Sequence, residues 1–110
     1  MRVTEQQWYP VLESRELKRK SLGVERFEWR LVFWRLSNGQ AHAHLDRCPH
    51  LGAALSGGKV QNNRLTCPFH GFAFDGTGLC KHIPSLGRAG NIPKGITLTS
   101  FPLQKQHQFI

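Results

Sequence analysis

Short stretches of alternating apolar and polar residues recur along the chain, separated by glycine, proline and asparagine. This alternation is the pattern of β-strands that bury one face, and no stretch has the apolar stripe of an amphipathic helix. The strands predicted in this way are residues 8–12, 27–36, 40–45, 64–66, 72–74 and 97–110. The sequence therefore predicts an all-β fold of short strands joined by turns.

The clearest of these signals is a hairpin in the first half of the chain. Its first strand is rich in aromatic and branched residues and places Trp29, Leu31 and Phe33 on one face. The dipeptide Asn38-Gly39 follows, which predicts a two-residue turn of type I′.

The return strand of this hairpin continues the alternation, so Ala41, Ala43 and Leu45 are expected to point into the core. His42 and His44 share the opposite face at strand spacing and could in principle bind a metal. Because no third ligand lies nearby in the sequence, we expect both histidines to face solvent.

Composition bounds the class of protein. The chain has 110 residues, with 15 Lys or Arg against 7 Asp or Glu, a formal net charge of +8. This length predicts one domain, residues 1–110, whose core needs no disulfide staples. The longest apolar run, 31–34, is too short to cross a bilayer, and the polar start, 1–7, lacks a signal-peptide pattern. We therefore expect a cytoplasmic protein with no membrane partner.

The candidate chemistry lies in two short segments, Cys48-Pro49-His50 and Cys67-Pro68-Phe69-His70. Together they offer two thiolates and two imidazoles, a ligand mix that suits zinc or an iron–sulfur cluster. Zinc fingers of the Cys₂His₂ type keep the cysteines in one knuckle and the histidines on a helix, whereas here each segment carries one of each. A [2Fe–2S] cluster explains the mixture, and a zinc-stabilised binding module remains the alternative.

The stretches 48–53 and 67–72 resemble the two cluster-binding loops of Rieske [2Fe–2S] domains. More narrowly, they resemble the N-terminal domain of Rieske non-haem iron oxygenases of the ring-hydroxylating type, and the resemblance covers about residues 8–110. It implies a Rieske-type β-sandwich or incomplete barrel, with a small cluster-binding subdomain of short strands and loops at about 46–84. Phe69 and Phe72 depart from the Tyr and Trp that many ring-hydroxylating members carry.

The same resemblance implies one Rieske-type [2Fe–2S] cluster and its ligands. Cys48 and Cys67 would bind one iron as thiolates, and His50 and His70 would bind the other as neutral imidazoles. The residues implied to support the cluster loops are Pro49, Gly52, Pro68, Gly71 and Pro84. Gly52 and Gly71 are expected to aim N–H groups at sulfide, and the remaining turn glycines, Gly76 and Gly78, to join Pro84 in a shielding loop.

The reduction potential is expected at the low end of the Rieske range, roughly −150 mV. High-potential relatives link their loops through a disulfide, and the corresponding positions here are Ala53 and Phe69. The segment 72–74 also lacks a side-chain hydroxyl that could reach the cluster. The third cysteine, Cys80, is expected to be a packed or partly exposed thiol and not a ligand.

The expected function is electron transfer, as the electron-accepting module of a Rieske non-haem iron oxygenase. A free-standing Rieske-type ferredoxin that passes electrons from a reductase to a separate oxygenase is the alternative. No substrate-converting site can be assembled from the other residues, so oxygenase activity would need a catalytic domain with mononuclear iron, in cis or in trans.

The basic residues are densest at Arg15, Lys18, Arg19 and Lys20. In an electron-transfer protein this charge would steer an acidic donor, a ferredoxin or a flavin reductase. Nucleic-acid binding is the rival explanation of so basic a chain, but no nucleic-acid-binding motif accompanies the charge. We therefore expect no nucleic-acid partner.

Overall fold

The structure is a computed structural model that describes residues 2–4, 7–8, 15, 17–26, 28–49, 52–68, 71–84, 92 and 95–103. Within these residues the chain forms ten short strands and a 3₁₀ helix of one turn, Leu55–Gly57. The strands are β1 Arg2–Thr4, β2 Gln7–Trp8, β3 Leu22–Arg26, β4 Trp29–Arg35, β5 Ala41–Leu45, β6 Lys59–Gln61, β7 Arg64–Thr66, β8 Ala73–Phe74, β9 Cys80–His82 and β10 Ser100–Phe101.

The strands form two four-stranded sheets and one two-stranded ribbon, all antiparallel. The larger sheet has the order β10-β5-β4-β3, the smaller sheet has the order β6-β7-β8-β9, and β1 pairs with β2. The all-β prediction is confirmed. The predicted strands 8–12 and 97–110 extend into residues outside the described ranges. Of their described residues, Trp8 belongs to β2, and Ser100 and Phe101 form β10.

The core lies on both faces of β4. Leu31 and Phe33 pack in one buried cluster, while Val32 and Trp34 pack in a second cluster with Leu65 and other residues of the smaller sheet. The second cluster therefore joins the two sheets, as in a sandwich. The alternation predicted for this strand describes one of its faces, but the other face is equally buried.

The turn between β4 and β5 differs from the predicted two-residue type I′ turn. Leu36 and Gln40 close a three-residue loop through a hydrogen bond of 2.9 Å from the Leu36 amide to the Gln40 carbonyl. Gly39 has a φ of 90°, and Asn38 is not left-handed. A two-residue turn would have shifted the pairing by one position and set Phe33 opposite His44 instead of Ala43.

A two-residue turn of the predicted kind occurs instead between β6 and β7. Asn62 and Asn63 have φ values of 52° and 58°, as a type I′ turn requires at both central residues. Asparagine tolerates this conformation better than most residues with a Cβ. The side chain of Asn63 also accepts a hydrogen bond of 2.7 Å from the Ser37 amide, which links the two sheets.

The prediction that His42 and His44 face solvent is wrong. His44 is fully buried, and His42 is half-buried. Both rings lie beside Trp34, with ring centroids at 5.7 Å for His42 and 6.1 Å for His44. The alternation rule failed because it assumes that one face of the sheet is exposed to solvent, whereas here the smaller sheet covers that face.

Among the residues that the structure describes, there is no apolar helix of membrane-spanning length.

Candidate metal centre

Cys67 lies at the start of the loop that joins β7 to β8. Thr66 and Ala73 are the last paired residues, and Cys67 begins the loop directly after β7. The Cys67 amide donates to the Phe72 carbonyl at 2.7 Å, and the Gly71 amide donates back to the Cys67 carbonyl at 3.2 Å. These two bonds close a loop whose interior holds four residues.

Cys48 begins a loop that is closed by the same pair of bonds, although this loop follows β5 and is not part of the smaller sheet. The Cys48 amide donates to the Ala53 carbonyl at 2.8 Å, and the Gly52 amide donates to the Cys48 carbonyl at 2.8 Å. In both loops the cysteine therefore holds the first position and a glycine holds the fifth.

These two glycines serve loop closure. Gly52 has a φ of 76° and Gly71 a φ of 73°, a left-handed conformation that costs a residue with a Cβ roughly 1–2 kcal/mol. Their N–H groups bond to the cysteine carbonyls of their own loops. Both amides therefore take part in closing their own loops.

Both loop cysteines are buried. Cys48 is 1% exposed and Cys67 is 3% exposed, and both belong to the buried cluster that joins the sheets. Cys80 is also buried, as predicted for a packed thiol, and burial raises the pKa of its thiol. His82 is exposed as a surface residue.

Asp46 anchors the first loop, a role that the sequence analysis did not assign. Its carboxylate accepts a hydrogen bond of 2.8 Å from the Ser56 amide in the 3₁₀ helix that follows the loop. Its own amide donates to the Arg30 carbonyl on β4 at 2.9 Å. An acidic residue between a strand end and a cysteine is the signal that could have suggested this anchor, because a buried carboxylate requires donors.

Pro84 lies beside the second loop. A Cβ placed on Gly71 would be 3.0 Å from the Pro84 ring, so the two residues are in close contact. The two turn glycines expected in the same shielding loop lie elsewhere: Gly76 is packed under the ring of His42, and Gly78 is packed against Leu98. Their smallness therefore serves the contact between the turn after β8 and the larger sheet.

That contact encloses a polar cluster next to the core. The Nδ1 atom of His44 lies 2.8 Å from the Ser100 hydroxyl on β10. The Nε2 atoms of both strand histidines, His42 and His44, and the Nε1 atom of Trp34 are buried without a hydrogen-bond partner among the described residues. Burial lowers the pKa of His44 to about 4, with a smaller contribution from His42, and burial also lowers the pKa of His42.

Asp75 lies at the edge of this cluster and shapes the turn after β8. Partial burial acts to raise its pKa, but hydrogen bonds from the Thr77 hydroxyl at 2.6 Å and from the Leu79 amide at 3.1 Å outweigh it. The pKa of Asp75 therefore lies below its ordinary value. Lys81 adds an ion pair at 3.8 Å.

The structure thus brings two of the predicted ligands, Cys48 and Cys67, into one buried cluster at the starts of two matching loops. The other two, His50 and His70, lie outside the described residues. Within the described ranges no three His, Cys, Asp or Glu side chains form a metal site. Two buried thiols that form no disulfide fit a group that takes two thiolates from this chain.

Comparison with known proteins assigns the chain to a family. Residues 7–102 match the family model described as the Rieske [2Fe-2S] domain. The chain belongs to the Rieske [2Fe–2S] domain family, whose cofactor is a [2Fe–2S] cluster, and the predicted Rieske-type fold is confirmed.

Particular relatives are oxygenase components and related proteins. The chain is 38% identical over 103 residues to the oxygenase component of dicamba O-demethylase from Stenotrophomonas maltophilia, covering 94% of this chain and 30% of that protein. It is 33% identical over 100 residues to the chloroplastic protein TIC 55 from Pisum sativum, covering 90% of this chain and 18% of that protein.

Comparison with solved structures supports the same family assignment. The apo dicamba monooxygenase structure superposes with a TM-score of 0.86 at 37% identity, covering 94% of this chain and 31% of that one. NdmA from Pseudomonas putida CBB5 superposes with a TM-score of 0.84 at 32% identity, covering 93% of this chain and 32% of that one. The chain thus spans a third or less of the length of the relatives that it matches.

Proposed function

We propose that this chain carries single electrons through a Rieske [2Fe–2S] cluster held by Cys48, Cys67, His50 and His70. The observation that carries the proposal is the pair of matching loops, each closed by the same two backbone hydrogen bonds and each starting at a buried cysteine. Two such loops can present ligands to one cluster from two sides. The histidine occupies the third position of the first loop and the fourth position of the second.

The ligand types set the charge at the site. Two thiolates and two neutral imidazoles add two negative charges, whereas four thiolates would add four. When bound, the cluster supplies a one-electron acceptor, and the smaller negative charge raises its potential above that of all-cysteine ferredoxins. The chain's own contribution is to keep the two thiols away from water, as the burial of Cys48 and Cys67 achieves.

The potential proposed is at the low end of the Rieske range, roughly −150 mV. Neither loop contains Ser, Thr or Tyr between residues 48 and 53 or between 67 and 72, so these loops offer no hydroxyl to the sulfurs. Hydrogen bonds to the sulfurs are one of the levers that raise such potentials. The supporting residues, Pro49, Pro68 and Pro84 with the two loop glycines, would then act by fixing the loops.

We propose further that residues 1–110 act as one electron-accepting domain of a Rieske non-haem iron oxygenase, with 46–84 as the cluster-binding part. The similarity to a protein named an oxygenase component supports this assignment. The partners proposed are an electron donor, a ferredoxin or flavin reductase, and a catalytic domain with mononuclear iron in cis or in trans. A free-standing Rieske-type ferredoxin would use the same site.

Metal and sulfide analysis tests the cluster. The purified protein should be red-brown, with two irons and two acid-labile sulfides per chain. A colourless protein with one zinc would overturn the proposal in favour of a zinc-stabilised binding module. To separate oxygenase module from ferredoxin, the reading frame downstream of the coding sequence should be inspected for a continuing catalytic domain with two histidines and one carboxylate as iron ligands.

Mutation tests the ligands. His70→Cys should abolish the cluster or lower its reduction potential markedly, because a third thiolate adds negative charge to the site. The control is His82→Cys, since His82 is an exposed histidine on β9. An unchanged potential in His70→Cys, measured by protein-film voltammetry, would contradict the ligand assignment.

A further inference from the structure

The strongest unassigned feature is a cationic depression on the side of the protein that carries the 3₁₀ helix. Three adjoining cavities of about 550, 600 and 480 Å³ share Arg19 in their linings. We name this surface the basic groove and define it by its cationic lining residues, Lys18, Arg19, Lys20, Arg35 and Lys59. Among the described residues, no carboxylate lines any of the three cavities.

Hydrogen bonds fix the walls of the basic groove. The Arg35 guanidinium donates to the Leu17 carbonyl at 3.0 Å, and Leu17 itself is buried in the core beneath. At the other end of the same segment, the Ser21 hydroxyl donates to the Ser56 carbonyl in the 3₁₀ helix at 2.9 Å. The backbone that presents the cations is therefore tied to β4 on one side and to the 3₁₀ helix on the other.

The cations themselves are directed at solvent. Lys18, Arg19, Lys20 and Lys59 are exposed and form no ion pair with any residue that the structure describes. Four like charges around one depression repel each other, and a carboxylate-bearing partner would relieve that repulsion. A concave surface with one sign of charge also concentrates the approach of oppositely charged molecules.

The basic groove adjoins the second cysteine loop. A Cβ placed on Gly57, in one wall of the groove, would be 3.6 Å from the ring of Pro68, the residue after Cys67. In the same wall, Gly58 is packed against the Thr66 carbonyl at the end of β7. A molecule seated in the groove would therefore be close to the loop that begins at Cys67.

We propose that the basic groove is the docking surface for an acidic electron-donor protein, whose carboxylates pair with Lys18, Lys20 and Lys59. This inference rests on the electron-transfer function proposed above and assigns a surface to its donor. In the docked complex one electron passes from the reduced iron centre of the donor to this protein, which leaves the donor oxidised by one electron. No covalent bond forms between the two proteins.

Charge reversal on the two walls tests the docking surface. The variant Lys18→Glu/Lys59→Glu should be compared with Arg26→Glu/Arg30→Glu, which changes the net charge equally. Arg30 lies five residues from Arg35 along β4, about 17 Å away at the rise of a strand. The probe is a chemically reduced, acidic plant-type [2Fe–2S] ferredoxin, whose potential lies below that of Rieske centres and therefore makes electron transfer downhill.

Stopped-flow reduction at low ionic strength gives the first readout. The second-order rate constant should fall at least about tenfold in the groove variant and less than about threefold in the control. The difference should disappear near 1 M salt, where the screening length is about 3 Å. Equal slowing of both variants would show that only net charge matters and would overturn the assignment of the groove.

Carbodiimide cross-linking of the oxidised proteins gives a second readout that needs no electron transfer. Cross-links to ferredoxin carboxylates should map to Lys18, Lys20 and Lys59, whereas cross-links mainly to Lys81 would overturn the proposal. The groove would also be misassigned if the groove variant lost binding to a single-stranded oligonucleotide or to phosphatidylserine vesicles but reacted normally with ferredoxin. Failure of the electron-transfer function itself looks different, since an electrode would then reduce none of the three proteins.

Discussion

His44 is a buried histidine that should make the stability of this protein fall steeply in mild acid. Its ring is fully buried beside Trp34, its Nδ1 atom lies 2.8 Å from the Ser100 hydroxyl, and its pKa is lowered to about 4. The charged groups that face it are His42 and Asp75, and their effects partly cancel. The informative perturbation is His44→Leu, which fills the site with an apolar side chain that cannot be protonated.

The magnitude follows from the difference in proton binding between the folded and unfolded chain. With a pKa of about 4 when folded and 6.5 when unfolded, the unfolded chain binds the proton more tightly, so acid favours unfolding. The loss of stability begins as the pH falls through 6.5 and is complete below about 4, where it reaches about 3 kcal/mol. Between pH 7 and pH 5 the His44 contribution is about 2 kcal/mol.

Urea unfolding of the wild type and His44→Leu at pH 7 and pH 5 provides the assay. At an m-value of about 1.5 kcal/mol/M, the urea midpoint of the wild type should fall by about 1 M more than that of the variant over this interval. Comparing the two proteins at each pH cancels the effects of cluster loss and of titrating groups that do not interact with His44. Parallel losses in the two proteins would refute the conclusion that His44 is held neutral.

Two further changes test the frame around the cysteine loops. Gly58→Ala should destabilise the protein by about 1–3 kcal/mol, because a Cβ there would collide with the Thr66 carbonyl. The neighbouring Gly57→Ala should be tolerated, and thermal unfolding of both variants measures the difference. Asp46→Ala should shorten the lifetime of the bound cluster and cost about 1–3 kcal/mol, because it leaves the Ser56 amide without its acceptor. Asp46→Asn keeps an acceptor oxygen and should retain the cluster, so equal bleaching rates in both Asp46 variants would contradict the anchoring role.

The hairpin of β4 and β5 shows how far the sequence predicts the fold. Alternation located both strands and the inward positions of Leu31 and Phe33. It misplaced His44. Because this polar residue alternates with Ala43 and Leu45, the pattern assigned it to a solvent-exposed face. The equally apolar Val32 and Trp34 on the other face were the available sign that this sheet is covered on both sides.

For the turn and for the candidate site, too, the local sequence predicts some features, whereas others depend on tertiary packing. A local dipeptide could not fix the turn at Asn38-Gly39, because the register of Phe33 against Ala43 is set by packing across the whole sheet. The two Cys-His segments suggested the candidate site, because the ligand types are visible in the local sequence, and the structure brings Cys48 and Cys67 into one buried cluster. The anchoring bond from Ser56 to Asp46 spans ten residues and depends on where the 3₁₀ helix lies, so the sequence did not reveal it.

The backbone bonds that close the two cysteine loops involve no metal atom. The amides of Cys48 and Cys67 should therefore exchange their hydrogens with solvent slowly even in protein stripped of iron. A loop whose ends are already fixed loses little further conformational entropy when it takes up its cofactor. The cluster would then bind to a preorganised site, in contrast to zinc fingers, which fold only when they bind their metal.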